Sequence, residues 1–315
     1  MATKKKVRKV FAYRIDTPLF YVKKNEMNMN HYDTNRFQEF LKAIVNENDR
    51  KLHIDHSKLV RLETIQDSND SDFLEGIFIA SRFGEEQDII NVDTLSTTGK
   101  LMRRESVKGE VSFILCKKSG LLLVQSDSSL VINRNSIDTY LTAFVPLMRP
   151  YISAYNQNNK DTQITHESTF FTIRTVPSDD FFKKIRELAR VKGASVFVNT
   201  KNNPQNAAID YFRNEAEENQ VDNFGEIRIT LMNKVMGTGV RNVENFFRTL
   251  VELQKYDKYE IEGKTHAGRN KTVTMGLQDT SFEVKVLVND NGVVDRSSLI
   301  EEMVRIAKFR NPLEK

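Results

Sequence analysis

Cysteine is almost missing from this chain: Cys116 stands alone among 315 residues. A single thiol excludes an intramolecular disulfide and a cysteine-built zinc cluster, and points to a reducing compartment. Tryptophan is absent, and the 13 glycines and 6 prolines are too few for a collagen-like or low-complexity chain. No apolar run approaches the roughly 18 to 20 residues that cross a bilayer. The basic start, Lys4, Lys5, Lys6, Arg8 and Lys9, leads into Arg14, Asp16 and Pro18 rather than into a secretory apolar segment. These absences together lead us to expect a cytoplasmic protein.

Catalytic signatures are missing as well. There is no Walker loop. Gly237 and Gly239 stand where a dinucleotide fingerprint would put them, but Asn242 occupies the third glycine position and no βαβ unit surrounds them, so no cofactor is expected. His53 and His56 flank Asp55 in an irregular polar stretch, and His166 sits beside Glu167 on an expected strand edge. With Cys116 in an apolar strand, neither a Cys-His dyad nor a Ser-His-Asp triad can be assembled. We nominate no catalytic residue and no metal site. The nearest approach to metal chemistry is Glu283-Val284-Lys285, the Glu-x-Lys half of a nuclease centre, with Asp279 upstream; Glu260, Glu262 and Lys264 make a similar local cluster. Alternation along a strand generates the same spacing without chemistry. Metal-dependent nuclease activity is therefore an alternative reading, as is a non-catalytic protein-binding or assembly module.

What is present suffices for a core: 39% of residues are hydrophobic and 29% charged, a globular balance. A chain of this length suggests two domains. Gln157 to Thr165 is polar and poor in hydrophobes, so the expected division is an N-terminal domain at 1–156, a linker at 157–165 and a C-terminal domain at 166–315. In the first half we expect a strand from Val7 to Asp16, a helix capped by Asp33 or Thr34 with Phe37, Phe40, Leu41, Ile44 and Val45 on its apolar stripe, and strands at Leu59–Thr64, Phe73–Phe83 and Asp88–Val92. A polar stretch from Asp93 to Glu110 precedes a three-stranded meander, Val111–Cys116, Leu121–Gln125 and Ser129–Asn133. Ser136 should cap the next helix, which Pro146 and Pro150 bend or end. The second half reads as strand Ser168–Val176, helix Ser178–Lys192, strand Ala194–Asn199, helix Pro204–Glu218, strand Glu226–Met232 and helix Val240–Tyr256. Strands at Tyr259–Glu262, Lys271–Gly276 and Glu283–Val288 and a last helix from Ser297 complete it. Mixed element order makes the class α+β with largely antiparallel sheet, each half packed by helices.

A formal charge of +4 is a small excess, so distribution decides what the cations do. Lys183, Arg186 and Arg190 recur at helical spacing beside Lys184, with Phe181, Phe182, Ile185 and Leu188 opposite, which suggests a basic helix face able to follow a phosphate backbone. The start Lys4, Lys5, Lys6, Arg8 and Lys9 suggests a flexible basic arm. Arg241 and Arg248, flanked by Lys234 and Lys255, on another helix, and Lys264, Arg269 and Lys271 around a Gly-flanked loop containing His266, supply further phosphate-binding candidates.

The order of elements resembles the RexA class of prophage abortive-infection proteins and related defence-associated proteins. The stretches that carry it are Leu121-Leu122-Leu123-Val124 with the helix from Ser136, then Ile164 to Val198 with Phe181-Phe182-Lys183-Lys184-Ile185, and the strand pair before the final helix. A Kiwa-type DNA-binding component has the same broad role. What the resemblance implies is a homodimeric, nucleic-acid-binding component of an antiviral system, signalling to a membrane protein from the same operon; the basic clusters lead us to expect that the nucleic acid is double-stranded DNA, bound without sequence preference.

Overall fold

The computed structural model describes residues 4–176, 179–199, 215–216, 218–219, 226–233, 238–253, 258–275 and 280–313. The chain is α+β, and its sheets are antiparallel. It divides into two compact units, residues 1–176 with 280–315 and residues 177–279. These are not the halves expected at 1–156 and 166–315. The polar segment 157–165 lies inside the first unit, where the Asn156 side chain clasps Ile164 through bonds of 3.0 and 2.9 Å to its backbone oxygen and nitrogen. Low hydrophobicity there marks a surface turn and not a boundary.

The first unit is built on β1 (Lys4–Asp16), a strand of 13 residues. Around it run β2 (Leu19–Tyr21), β3 (Glu26–Asn28), α1 (Thr34–Asn46), β4 (Lys51–Ile54), β5 (Lys58–Asp67), β6 (Phe73–Arg82), β7 (Gln87–Ile90), β8 (Thr97–Leu101), β9 (Gly109–Cys116), β10 (Leu121–Gln125), α2 (Arg134–Phe144), α3 (Arg149–Asn158), β11 (Thr162–Gln163) and β12 (Thr172–Thr175). After the second unit come β17 (Thr280–Val288) and α6 (Arg296–Phe309). The main sheet has the order β12-β1-β10-β9-β6-β5-β4, with β17 also on β1. β12 covers Tyr13–Asp16 and β17 covers Lys4–Ala12 on the same edge of β1. The two are one strand interrupted: Thr175 pairs with Tyr13, Thr280 with the adjacent Ala12, and the Thr280 hydroxyl donates to Val176 O at 2.6 Å.

One face of the sheet is covered by α1 and α2 through Phe37, Phe40, Ile44, Ile137, Tyr140 and Leu141, with Tyr151, Ile152 and Tyr155 of α3 half-buried against the same core, and the other by α6 through Leu299, Ile300, Met303 and Ile306. Local chemistry starts each helix. Asp33 caps α1 by accepting from the Asn35 and Arg36 amides. Asn133, not Ser136, caps α2; Ser136 sits three residues on and returns a bond to the Asn133 amide, a reciprocal capping pair. α2 ends at Phe144, just before Pro146, as expected; a 3-10 turn, Val145–Met148, then leads into α3, in whose first turn Pro150 sits. The expected strand Ser129–Asn133 does not form. Buried Asp127 accepts the amides of Ser129, Val131 and Ile132 and so curls that segment into a loop. The polar stretch after Asp93 holds β8, which pairs with β7.

Asp16 is wholly buried, which pushes its carboxyl pKa above the ordinary value, while partners from two strands pull it back down: Arg174 Nε at 2.6 Å on β12 and Arg14 Nε at 2.8 Å on β1. Arg174 also reaches Asn30 Oδ1 at 2.7 Å, tying the β3 loop to the same point. Tyr140 is fully buried, donates to Arg50 O at 2.7 Å and accepts from Leu62 N–H at 2.8 Å. Burial holds its phenol pKa up at about 12. An unfolded tyrosine ionises near pH 10, so between pH 10 and 12 the unfolded chain releases a proton that the folded one keeps. Stability must fall with rising pH across that window, by about 2 kcal/mol from this group. Tyr140→Phe removes that component of the alkaline dependence while costing about 1 to 2 kcal/mol at neutral pH, because the buried Leu62 amide and Arg50 carbonyl lose their partner; urea unfolding at pH 7 and pH 11 measures both.

Candidate nucleic-acid interface

The second unit comprises α4 (Asp179–Arg186), β13 (Leu188–Asn199), β14 (Glu226–Met232), α5 (Val243–Leu253), β15 (Lys258–Thr265) and β16 (Asn270–Met275). Its four-stranded sheet has the order β14-β13-β15-β16. Phe181, Phe182 and Ile185 of α4 and Val243 and Phe247 of α5 pack on Val191, Ala194, Val196, Tyr259, Ile261 and Val273 of one sheet face. The expected helix Pro204–Glu218 lies mostly outside the described residues, as do Lys234, Gly237, Lys255 and Asp279.

The expected helix Ser178–Lys192 is overturned at Glu187. α4 ends at Arg186, and Leu188 onward is strand. Glu187 to Arg190 has good helical propensity, but Leu188 to Val191 completes the antiparallel pairing with β15, and tertiary pairing outweighs a weak local preference. The basic face of Lys183, Arg186 and Arg190 therefore does not exist. Lys183, Lys184 and Arg186 remain exposed on α4, where Arg186 lies 3.9 Å from Glu244 and Glu244 holds Arg248 at 2.7 Å. Glu187, expected to pair with Lys183, instead holds Lys271 at 2.9 Å.

Arg190 joins a different group. It stands opposite Lys264, which in turn stands opposite Asn270 on β16. Directly opposed residues share a face, and Lys264, three residues past buried Ile261, is on the face turned away from α4 and α5. Lys192 Nζ spans to Asn270 Oδ1 at 2.9 Å. Segment 238–241 runs beside the start of β13: Val240 N–H donates to Val191 O at 2.9 Å, and Arg190 Nε donates to Thr238 O at 3.0 Å. That brings exposed Arg241 to the same end of the sheet as the 266–269 turn, with exposed His266 and Arg269. Four separated stretches of sequence thus deliver Arg190, Lys192, Arg241, Lys264, Arg269 and Lys271 to one rim. Of the nearby carboxylates, Glu187 holds Lys271 of the rim itself, and Glu260 and Glu262 hold Arg228 at 3.2 and 3.3 Å. Among the described residues, Arg190, Lys192, Arg241, Lys264 and Arg269 form no ion pair. Beside them Leu231, Met232, Asn233 and Thr238 to Arg241 line a shallow depression.

The first unit holds a second basic surface. Lys4 to Lys9 are not a flexible arm but the first half of β1, paired residue by residue with β17. β10 pairs only with Val10 to Arg14, so this stretch and β17 form a two-stranded ribbon that extends past the sheet. Lys4, Lys6 and Arg8 share the α6 side with buried Val284 and Val286, while Lys5, Val7 and Lys9 share the outer side with Lys285 and Glu283. Lys4, Lys5, Lys6, Arg8, Lys9 and Lys285 form no ion pair among the described residues. Lys192 and Lys285 escape nomination from sequence because each sits in a segment read for another purpose, as a helix end and as half of a metal motif. Reading strand alternation through them would have found both.

The metal alternative fares differently. Glu283 stands opposite Lys9, and the Glu260 and Glu262 carboxylates face Arg228. Among the described residues, no group of three or more His, Cys, Asp or Glu could hold a metal ion. No described helix is long and apolar enough to cross a membrane. Compared with known proteins, the chain matches no family model and no curated sequence.

Gly263 sits at the root of the rim. A Cβ there would lie 2.6 Å from Arg190 O and 3.0 Å from Leu188 Cδ1, with backbone on one side and core on the other. Gly263→Val should cost the second unit about 2 kcal/mol or more through overpacking and shift the Arg190 backbone. Amide hydrogen exchange is the measure: protection should fall in β13 and β15 and stay unchanged in β5, β6 and β9.

Proposed function

We propose that this protein binds double-stranded DNA through its phosphate backbone, without reading sequence. The observation that carries this is the convergence of Arg190, Lys192, Arg241, Lys264 and Arg269 on one rim without carboxylate partners. Uncompensated cations on a solvated edge raise the local potential, and each one that meets a phosphate displaces condensed counterions, so binding gains free energy from ion release. Arginine is suited to the task because its planar donor fork meets phosphate oxygens bidentately. The β1–β17 ribbon offers a second contact: alternate residues of a strand recur about every 6.6 Å, so Lys5, Lys9 and Lys285 lie along one side, with Glu283 among them opposite Lys9, and Lys4, Lys6 and Arg8 lie along the other. An antiviral setting, with a membrane protein from the same operon as the recipient of the signal, is part of the proposal and rests on the resemblance of element order alone.

The test is anisotropy of a labelled duplex titrated with the full chain at several salt concentrations. Affinity should fall steeply with salt, and Arg190→Ala, Lys264→Ala and Arg269→Ala combined should flatten the slope of log K against log salt by about 0.9 per lost contact. The loss should be equal for unrelated duplex sequences. Absence of binding at low ionic strength, or an unchanged slope in the triple variant, removes the proposal.

A further inference from the structure

α1 carries a charge into the core of the first unit. Its third residue, Arg36, is 0% exposed. The guanidinium carbon lies 5.4 Å from the centre of the Phe170 ring, and Nη2 donates to Pro18 O at 3.0 Å in the turn between β1 and β2. Nε and Nη1 are buried as well, and neither meets a hydrogen-bond acceptor among the described residues. Burial lowers the pKa of this group to about 10, which still leaves it charged at neutral pH. A buried ion is costly unless a counter-charge meets it, and one neutral carbonyl with a ring face answers only part of that cost.

The chain brings no such counter-charge into contact. Among the described residues Arg36 forms no ion pair, and the carboxylate whose field reaches it is Asp33. Asp33 Oδ1 accepts the Asn35 and Arg36 amides, so its charge is set against the positive end of α1. Tyr151 and Tyr155 of α3 also stand near enough to act on the guanidinium, but a phenol is neutral at pH 7, and the Tyr155 hydroxyl is shared with Thr162 Oγ1 at 3.1 Å. Asp16, equally buried, is met by two guanidiniums at hydrogen-bonding distance. Arg36 has no equivalent on its own side of the sheet.

Charge and access identify the partner. Water could accept from the two N–H groups but brings no charge. A divalent anion would bring two negative charges to a place that holds one cation with Asp33 close by. The carboxylate of a larger ligand cannot reach a side chain that has no exposed surface. We infer that Arg36 is a binding site for one small monovalent inorganic anion of the chloride class, held by the guanidinium N–H groups that the chain leaves unbonded and enclosed by α1, α3 and the β1–β2 turn. Such an ion ties three separate stretches of the first unit to one point. The inference stands apart from the DNA-binding proposal and survives its failure.

Amide hydrogen exchange on the full chain tests it, with sodium chloride replacing sodium gluconate at constant ionic strength. An ion bound only by the folded form opposes opening in proportion to its concentration, so exchange of the α1 amides should slow about tenfold for each tenfold rise in chloride above the dissociation constant. Amides of β13 to β16, in the other unit, should not respond. Arg36→Met keeps the length of the side chain and removes its charge, and its α1 amides should no longer respond to chloride. A second measurement needs no variant: in crystals of the wild type grown with bromide, an anomalous peak should lie at hydrogen-bonding distance from Arg36 Nε or Nη1. Exchange of α1 indifferent to chloride, an equal response in wild type and Arg36→Met, or bromide crystals without an anomalous peak at Arg36 would each overturn the inference.

Discussion

The antiparallel pairing along the outer edge of β1 is the constraint from which the rest of this architecture follows. One edge of that strand is completed by β12 and β17 laid end to end, and the chain between them leaves and returns at adjacent rungs, Tyr13–Thr175 and Ala12–Thr280. An excursion that begins and ends within one rung places no demand on the sheet's register. The second unit can therefore have its own core, around Phe247, Ile261 and Val196, without sharing side chains with the first. The same edge is secured at one end by Asp16, whose buried charge is met by Arg14 and Arg174. Removing one partner of a buried ion group costs more than the group gives when complete, so this network makes the β1–β12 register specific more than it makes it strong.

β1 also explains why the basic start of the chain is ordered. Val10 and Ala12 face α6 with Phe282, Val284 and Val286, and that apolar seam continues the pairing outward through Arg8, Lys6 and Lys4. A strand that is core at one end and cationic at the other presents its charges on a rigid ladder. Side chains held on a ladder lose less freedom on meeting a regular polyanion than those of a flexible tail do. The rim of the second unit follows the same logic by another route: its cations are set by register between β13, β15 and β16, and the segment 238–241 closes the group.

How far the sequence reveals this depends on whether the determining contacts are local. α1 is legible, because Asp33, Phe37, Phe40, Leu41 and Ile44 lie within one helix and act by capping and period. β9, β10 and α6 are legible for the same reason. Failure comes where a distant partner decides. Leu188 to Val191 has helical propensity and becomes strand because β15 pairs with it. Ser129 to Asn133 has strand composition and becomes a loop because the Asp127 carboxylate takes its amides. The domain division was misplaced for a related reason: composition detects polar surface, whereas an insertion is visible only in which strands pair, and Thr175 and Thr280 are neighbours through β1 alone.

The candidate site was half legible for the same physical cause. Residue type picks out the cations, since lysines and arginines near glycine turns are where phosphate contacts arise, but it does not say which of them lie together. Their grouping was wrong, because helical spacing tied Arg190 to Lys183 and Arg186 when strand register ties it to Lys264. The difference matters for mechanism. Along a helix face those cations would recur about every 5 Å down one cylinder. Across the sheet, Arg190 and Lys264 come from adjacent strands about 4.8 Å apart and share a face. Such a cluster is a patch and not a line, and its members are set by strand register and not by helical period.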